Sequence, residues 1–312
     1  MSPENWTRVT GFVLLGFPRS HILQFLLVLG LMVTYSLTAT GNLLITGLSW
    51  TSRHLHTQMY FFLSNLSFLE LLLVSVVVPK MLVIILTGDH SISFASCILQ
   101  SYLYFLLGTT NFFLLAVILH YETLMRGRVS SQGILAFWLA DFLWVLCPTI
   151  LMANLLFCGP NGIDHFFCDS WPLLRLSCGD TRHLELVAFV LSTSVLVGSL
   201  ALISVSYACI LATVSRAPTA AERKKAFSTC ASHLTAVVTV YGSSIFLYIR
   251  MSGAQSTRLN KGASVLRCIV TPLLNPFIFS LRNEKVKQAL SDVLRWHRAM
   301  AMRVTSWDNR DV

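Results

Sequence analysis

Seven stretches of this sequence, each 20 residues or longer, are built almost wholly of apolar side chains: Ile22–Trp50, Met59–Leu86, Phe94–Leu119, Ile134–Ala153, Leu184–Val214, Ala226–Ile249 and Gly262–Leu281. Crossing a hydrocarbon layer roughly 30 Å thick takes about 20 apolar residues at about 1.5 Å of helical rise each. Inside lipid no water is on hand for a free N–H or C=O, so each stretch must close its own backbone hydrogen bonds as a helix. Of the 312 residues 54% are hydrophobic and only 12% charged, against about 25% charged in soluble domains. The expected fold is an all-α membrane protein, a seven-transmembrane-helix bundle over residues 22–281. An N-terminal segment (1–21) precedes it and a tail (282–312) follows, which leaves no room for a separate soluble catalytic domain.

The net charge of +9 does not imply nucleic acid, because the Lys and Arg residues lie in short connections and in the tail. With the N-terminus outside, the inner segments hold fourteen of them (Arg53, Arg126, Arg128, Arg216, Arg223, Lys224, Lys225 and seven from Arg282 to Arg310) against eight outside. Positive charge gathers on the cytosolic side of membrane proteins, so this orientation is favoured. Asn5-Trp6-Thr7 supports it, since a sequon is glycosylated only on the lumenal side. No signal peptide is read in Met1–Arg19, and the first span is expected to act as its own insertion signal. Beyond Leu281, Val286, Ala289, Leu290, Val293 and Leu294 recur at helical spacing among basic residues. They describe a short amphipathic C-terminal helix, either on the inner membrane surface or solvated in the cytosol.

Span counting alone does not separate receptors from transporters, but local motifs do. Leu55-His56-Thr57-Gln58-Met59-Tyr60-Phe61-Phe62-Leu63-Ser64-Asn65-Leu66-Ser67 resembles the first-inner-loop signature of vertebrate olfactory receptors, members of the rhodopsin-like G-protein-coupled receptors. Lys225-Ala226-Phe227-Ser228-Thr229-Cys230-Ala231-Ser232-His233-Leu234 and Pro272-Leu273-Leu274-Asn275-Pro276-Phe277-Ile278-Phe279-Ser280-Leu281-Arg282-Asn283 resemble two more of that family's signatures. Gly41-Asn42 and the run from Phe157-Cys158-Gly159-Pro160 to His165-Phe166-Phe167-Cys168-Asp169 also fit.

The resemblance implies a rhodopsin-like bundle in the plasma membrane that binds small volatile odorants and activates an olfactory stimulatory heterotrimeric G protein. It also implies the disulfides Cys97–Cys168 and Cys158–Cys178; four outer cysteines by themselves allow three pairings. Cys147, Cys209, Cys230 and Cys268 are read as apolar packing residues. The implied ligand site lies in the outer halves of the third, fifth, sixth and seventh spans. Its candidate residues are Tyr104, Phe105, Gly108, Thr109, Leu191, Ser192, Val195, Tyr241, Ser244, Ile245, Tyr248, Val265 and Cys268, each of which ordinary helix packing would also explain. Gly108 leaves space and Thr109 supplies a hydroxyl, which suits a small, neutral, mostly apolar ligand.

Asn42, Glu70, Asn111 and Asn275 are polar groups deep in apolar spans, where they must bond to one another or to water. Pro276 is expected to break the seventh helix at a switching point, or to be a passive kink. His165 lies near Cys168, but with that cysteine oxidised no metal is expected, and no cofactor. No nucleophile–base pair faces a plausible site, so an enzyme is not expected. Repeated halves with paired charges, the mark of many transporters, are absent from the sequence.

The third span departs from the family. Leu114-Leu115-Ala116-Val117-Ile118-Leu119 runs straight into His120-Tyr121-Glu122-Thr123, so a segment carrying the acidic-Arg-Tyr switch is missing; Arg126 and Arg128 are the nearest basic residues. Asp141 and Arg267 place charges within spans where the family has small or neutral residues, each costing about 2.5–3.5 kcal/mol near the bilayer centre. Asn111 stands for a usual carboxylate and Phe279 for a usual Tyr. These departures leave a second expectation open: a signalling-defective relic of the same fold, retained at the endoplasmic reticulum.

Overall fold

The computed structural model describes residues 9–17, 20–52, 55–56, 58–124, 131–158, 161–216, 219–251, 257–281, 286–292 and 295. Asn5, Arg126 and Arg128 lie outside them, as do the side chains of Glu122, Cys230, Tyr248 and Phe279.

The apolar stretches form helices in chain order: α1 (His21–Thr51), α2 (Gln58–Thr87), α3 (Phe94–Leu124), α4 (Ser131–Ala153), α6 (Arg182–Ser215) and α7 (Ala220–Met251), with a short α5 (Ser170–Leu174) between the fourth and fifth spans. The seventh span comprises α8 (Thr257–Val265), a π-helical turn (Leu266–Val270) and α9 (Thr271–Leu281). Among the described residues, His21–Thr51, Tyr60–Thr87, Phe94–Ile118 and Arg182–Ser215 are long and apolar enough to cross a membrane. Shorter apolar segments, Trp138–Ala153 and Leu234–Phe246, lie in α4 and α7.

Packing separates the centre of the bundle from its rim. In α3 72% of the most apolar window is buried, against 11% in α1 and 17% in α6. Helix α3 packs on α2, α4 and α6, so it touches more of the bundle than any rim helix. Large apolar side chains such as Phe25, Leu29, Phe189 and Val197 point outward, where a soluble protein would expose polar groups. That outer surface is shaped for lipid.

The all-α expectation misses a small sheet at one end. Strand β1 (Gly11–Leu14) pairs antiparallel with β2 (Ser91–Ser93) and parallel with β3 (Gly162–Ile163), in the order β2-β1-β3. Phe12 from β1 packs against Phe94 and Phe157, with ring centroids 6.0 and 5.3 Å away. The N-terminal segment is thus stitched to two inter-helix connections. Residues 286–292 are helical past the seventh span, with Val286 and Ala289 buried and Lys287 and Gln288 exposed, which is an amphipathic arrangement.

The expected break at Pro276 is not found: α9 continues through it, and the irregularity lies earlier, at Leu266–Val270. Proline cannot donate to the carbonyl four residues back, which here belongs to Pro272. Asn42 Nδ2 donates to that carbonyl instead, at 3.3 Å, and also to the carbonyl of Thr38 at 3.0 Å. Gly41 gives room for the proline ring, since a Cβ there would stand 3.0 Å from Pro276 Cβ. Gly41-Asn42 and Asn275-Pro276 are therefore two halves of one helix-helix joint.

Candidate functional site

Beneath the sheet, the connection between α4 and α6 folds down over the bundle. Cys97 on α3 is disulfide-bonded to Cys168, with Cα atoms 5.3 Å apart, and Cys158 to Cys178, 5.7 Å apart. The backbone N–H of Cys168 donates to Gln100 Oε1 at 3.1 Å, and the Ser101 and Ser170 hydroxyls meet at 3.0 Å. On the other side Lys261 Nζ donates to Asp164 Oδ1 at 2.5 Å, and His165 Nε2 lies 3.2 Å from Ser264 Oγ. The connection therefore bridges the third and seventh spans as a lid. Burial holds the His165 imidazole below its ordinary pKa; nearby Lys261 acts in the same sense and Asp169 against it.

Phe167 carries the lid inward. Its ring centroid is 4.7 Å from that of Tyr104 and 4.6 Å from the His165 ring. Below it Tyr104, Gly108 and Phe112 succeed one another at four-residue intervals on α3 and so share one face. Phe112 meets Tyr241 of α7 edge-on at 4.9 Å, while Val195 of α6 and Cys268 of the π turn are both buried in the bundle core. Cys268 lies within hydrogen-bonding contact of the Tyr104 hydroxyl.

The thirteen expected ligand-site residues do not all come together. Tyr104, Gly108, Tyr241 and Cys268 converge, Val195 is buried on α6, Ser244 is buried on α7 with its hydroxyl bonded to the Val240 carbonyl at 2.8 Å, and Leu191, Ser192 and Val265 are half-buried. Phe105 and Thr109 turn instead toward α4. Phe105 packs both on the main core, edge-on to Tyr104 at 5.4 Å, and on the Tyr102–Leu106–Val145 cluster, and Thr109 Oγ1 donates to Asp141 Oδ2 at 3.1 Å, so its hydroxyl is already committed. Ile245 is exposed on the outer surface of α7. These three misplacements share a cause: residues adjacent in sequence sit about 100° apart on a helix, so they cannot all face one chamber.

Gly108 does leave space, but the protein fills it. Arg267, from the π turn, extends its guanidinium toward α3, and a Cβ at Gly108 would lie 2.7 Å from its Nη2. The guanidinium carbon stands 5.6 Å from the Tyr104 ring centroid and 5.2 Å from that of Phe112. Phe112 and Arg267 were not among the expected site residues. Phe112 continues the Tyr104–Gly108 spacing and could have been found; the reach of Arg267 depends on the π turn, which has no sequence signal.

The polar residues deep in the spans form a second centre. Asn275 Nδ2 donates to Glu70 Oε1, and Asn111 also hydrogen-bonds the Glu70 carboxyl. Asp141, buried on α4, accepts the hydroxyls of Thr109 and Thr110 at Oδ2. Asp141 and Arg267 have no contact with each other, as expected of charges on non-neighbouring helices.

A family profile described as "Olfactory receptor" matches residues 31–296 of the chain. Human olfactory receptor 6T1 is 74% identical over 320 residues, which takes in 98% of this chain and 99% of that protein. The chain belongs to the olfactory receptor family. Human olfactory receptor 6C76 is 46% identical, covering 94% of this receptor chain and 97% of its own length. The crystal structure of squid rhodopsin superposes with a TM-score of 0.66 at 18% identity, covering 94% and 93% of the two chains, and shows that the receptor shares the rhodopsin fold. It is a multi-pass membrane protein of a receptor family, not of an enzyme family.

Proposed function

We propose that this protein is an odorant receptor: it takes a small volatile molecule into the space between α3, α6, α7 and the seventh span, and signals through a stimulatory heterotrimeric G protein. One observation carries the reading. Tyr104, Phe112, Tyr241 and Cys268, from three spans, meet beneath a lid that is disulfide-tethered to α3. Such a largely apolar, enclosed arrangement with a few polar groups suits a small organic ligand. The N-terminus is read as extracellular, supported by the basic inner connections and by disulfides at the sheet end, as an oxidising compartment requires. The plasma membrane is the site of action in this reading, and Asn5 its glycosylation site.

Coupling calls for an inner surface that this chain builds differently. Helix α3 runs on to Leu124 through His120-Tyr121-Glu122-Thr123, without an acidic-Arg-Tyr sequence. The alignment with human olfactory receptor 6T1 spans 320 residues, more than the 312 of this chain, which supports a missing segment.

The test is a cAMP reporter in cells that supply the olfactory G protein, challenged with an odorant panel. Both this chain and a version with the segment between Leu119 and His120 restored from human olfactory receptor 6T1 are assayed. A response from this chain supports the full reading. A response from the restored version alone means that the ligand site is intact and coupling is not. Silence from both, with surface staining normal, overturns the receptor reading.

A further inference from the structure

We propose that Arg267 is a ligand anchor, and that the molecule this chamber selects is a small organic anion: a carboxylate on an apolar tail. The assignment rests on the receptor reading above and names its ligand class.

Arg267 reaches the chamber because of the π turn. The Thr271 backbone N–H and Oγ1 both close on the Leu266 carbonyl, five residues back, the Oγ1 contact at 3.0 Å. Accommodating an extra residue in one turn re-aims the side chains that follow, and such turns gather at functional sites. The guanidinium comes to rest against Gly108, with the faces of Tyr104 and Phe112 on either hand. Ring faces attract a cation but accept no in-plane hydrogen bond, and guanidinium has five such donors in a fork that fits a carboxylate.

No described residue satisfies that fork. Among the described residues the ion pairs are Arg182–Asp180 and Lys261–Asp164, both toward the lid end. The two carboxylates buried in the bundle are engaged elsewhere, Glu70 with Asn275 and Asn111, and Asp141 with Thr109 and Thr110. Arg267 is half-buried, so its fork remains reachable by an incoming molecule. An ionisable group within a membrane span has a functional partner as its default explanation. The residues around it select the partner's remainder: Tyr104, Phe112 and Tyr241 offer aromatic contact to a tail, and the carboxylate that bears on the site, Asp169 in the lid above Tyr104 and Cys268, favours a head that pairs with Arg267 on the α3 side.

The decisive measurement is binding, which does not depend on G-protein coupling. Purified receptor in lipid nanodiscs is titrated with octanoate, hexanoate and 1-octanol at neutral pH, and the panel odorants are run in parallel. Octanoate is expected to bind at least about tenfold more tightly than 1-octanol, the worth of one charge-assisted contact. In Arg267→Gln that preference disappears while 1-octanol binding persists, which also reports that the variant is folded; Arg267→Lys retains part of it. Gly108→Ala, whose added methyl displaces the guanidinium, weakens octanoate more than 1-octanol. Equal or weaker binding of octanoate by the natural chain, or an undiminished preference in Arg267→Gln, overturns the anion anchor while leaving the receptor reading in place. If neither the acids, the alcohol nor the panel binds, the ligand chamber falls and the anchor with it.

Discussion

Two polar centres lie within the spans of this receptor, and they are built in opposite ways. Around Glu70, amide groups from α3 and α9 close on the carboxyl, so three helices are held by one cluster. Around Arg267 there are only ring faces and the notch at Gly108, with no hydrogen-bond acceptor among the described residues. A buried polar group that belongs to the scaffold is expected to be satisfied by the scaffold. One that is left open beneath a lid is available to something that comes and goes. The contrast is one of degree, since Asn111 Oδ1 beside Glu70 has no partner among the described residues and Arg267 is half-buried.

The contrast is broken most directly by removing each group in turn. Glu70→Ala deprives the Asn275 and Asn111 amides of the carboxyl that they share. At about 1–3 kcal/mol for each orphaned group, the loss is about 2–6 kcal/mol, read as a large fall in the thermal midpoint in detergent. Glu70→Gln keeps an acceptor and falls much less. A Glu70→Ala protein as stable as the natural chain would mean that the cluster is not structural.

Next in size is the joint between the first and seventh spans. Asn42→Ala strips the Pro272 carbonyl of the donor that replaces the missing proline N–H, for a loss of about 1–3 kcal/mol. The double variant Asn42→Ala, Pro276→Ala supplies a backbone N–H again and recovers part of that loss. Additive losses in the two variants would show that Asn42 and Pro276 do not act as a pair.

Removal of the open cation is expected to have the opposite sign. Arg267→Leu relieves roughly 2.5–3.5 kcal/mol of membrane burial cost and forfeits about 2 kcal/mol of attraction to the two rings. The ligand-free receptor should therefore gain about 1 kcal/mol, seen as a small rise in the thermal midpoint. A fall comparable to that of Glu70→Ala would place Arg267 with the scaffold.

The same contrast explains what was legible in the sequence. Span number and order follow from long apolar runs, because lipid forces each to become a helix. Asn42, Glu70, Asn111 and Asn275 were identifiable one by one, since polar residues in such runs demand partners. Which of them meet was not: the Asn42–Pro272 bond joins residues 230 positions apart. The N-terminal strand was missed because Gly11–Leu14 is too short to carry a periodicity and gains its partners only from two distant connections. Phe105, Thr109 and Ile245 were misplaced because proximity in sequence was taken for a shared face. Arg267 was conspicuous as a charge, but its direction is decided by a π turn that no residue pattern announces.

The lid offers the finest test, because His165 stands between the two behaviours. Its ring is buried against Phe166 and Phe167, its Nε2 meets Ser264, and its Nδ1 has no partner among the described protein atoms. Burial therefore favours the neutral imidazole in the closed lid, while an open or unfolded chain protonates near the ordinary value of 6.5. Above that value both forms are neutral and the lid is fully stable. As pH falls below 6.5 toward the lowered pKa of the closed form, the open chain takes up a proton that the closed one resists, and stability is lost. Hydrogen-exchange protection over residues 161–178, corrected for the intrinsic pH dependence of exchange, should fall across that window in the natural chain and stay constant in His165→Gln, whose amide can still reach Ser264 but does not titrate. An equal loss of protection in both proteins would show that His165 does not set the pH response of the lid.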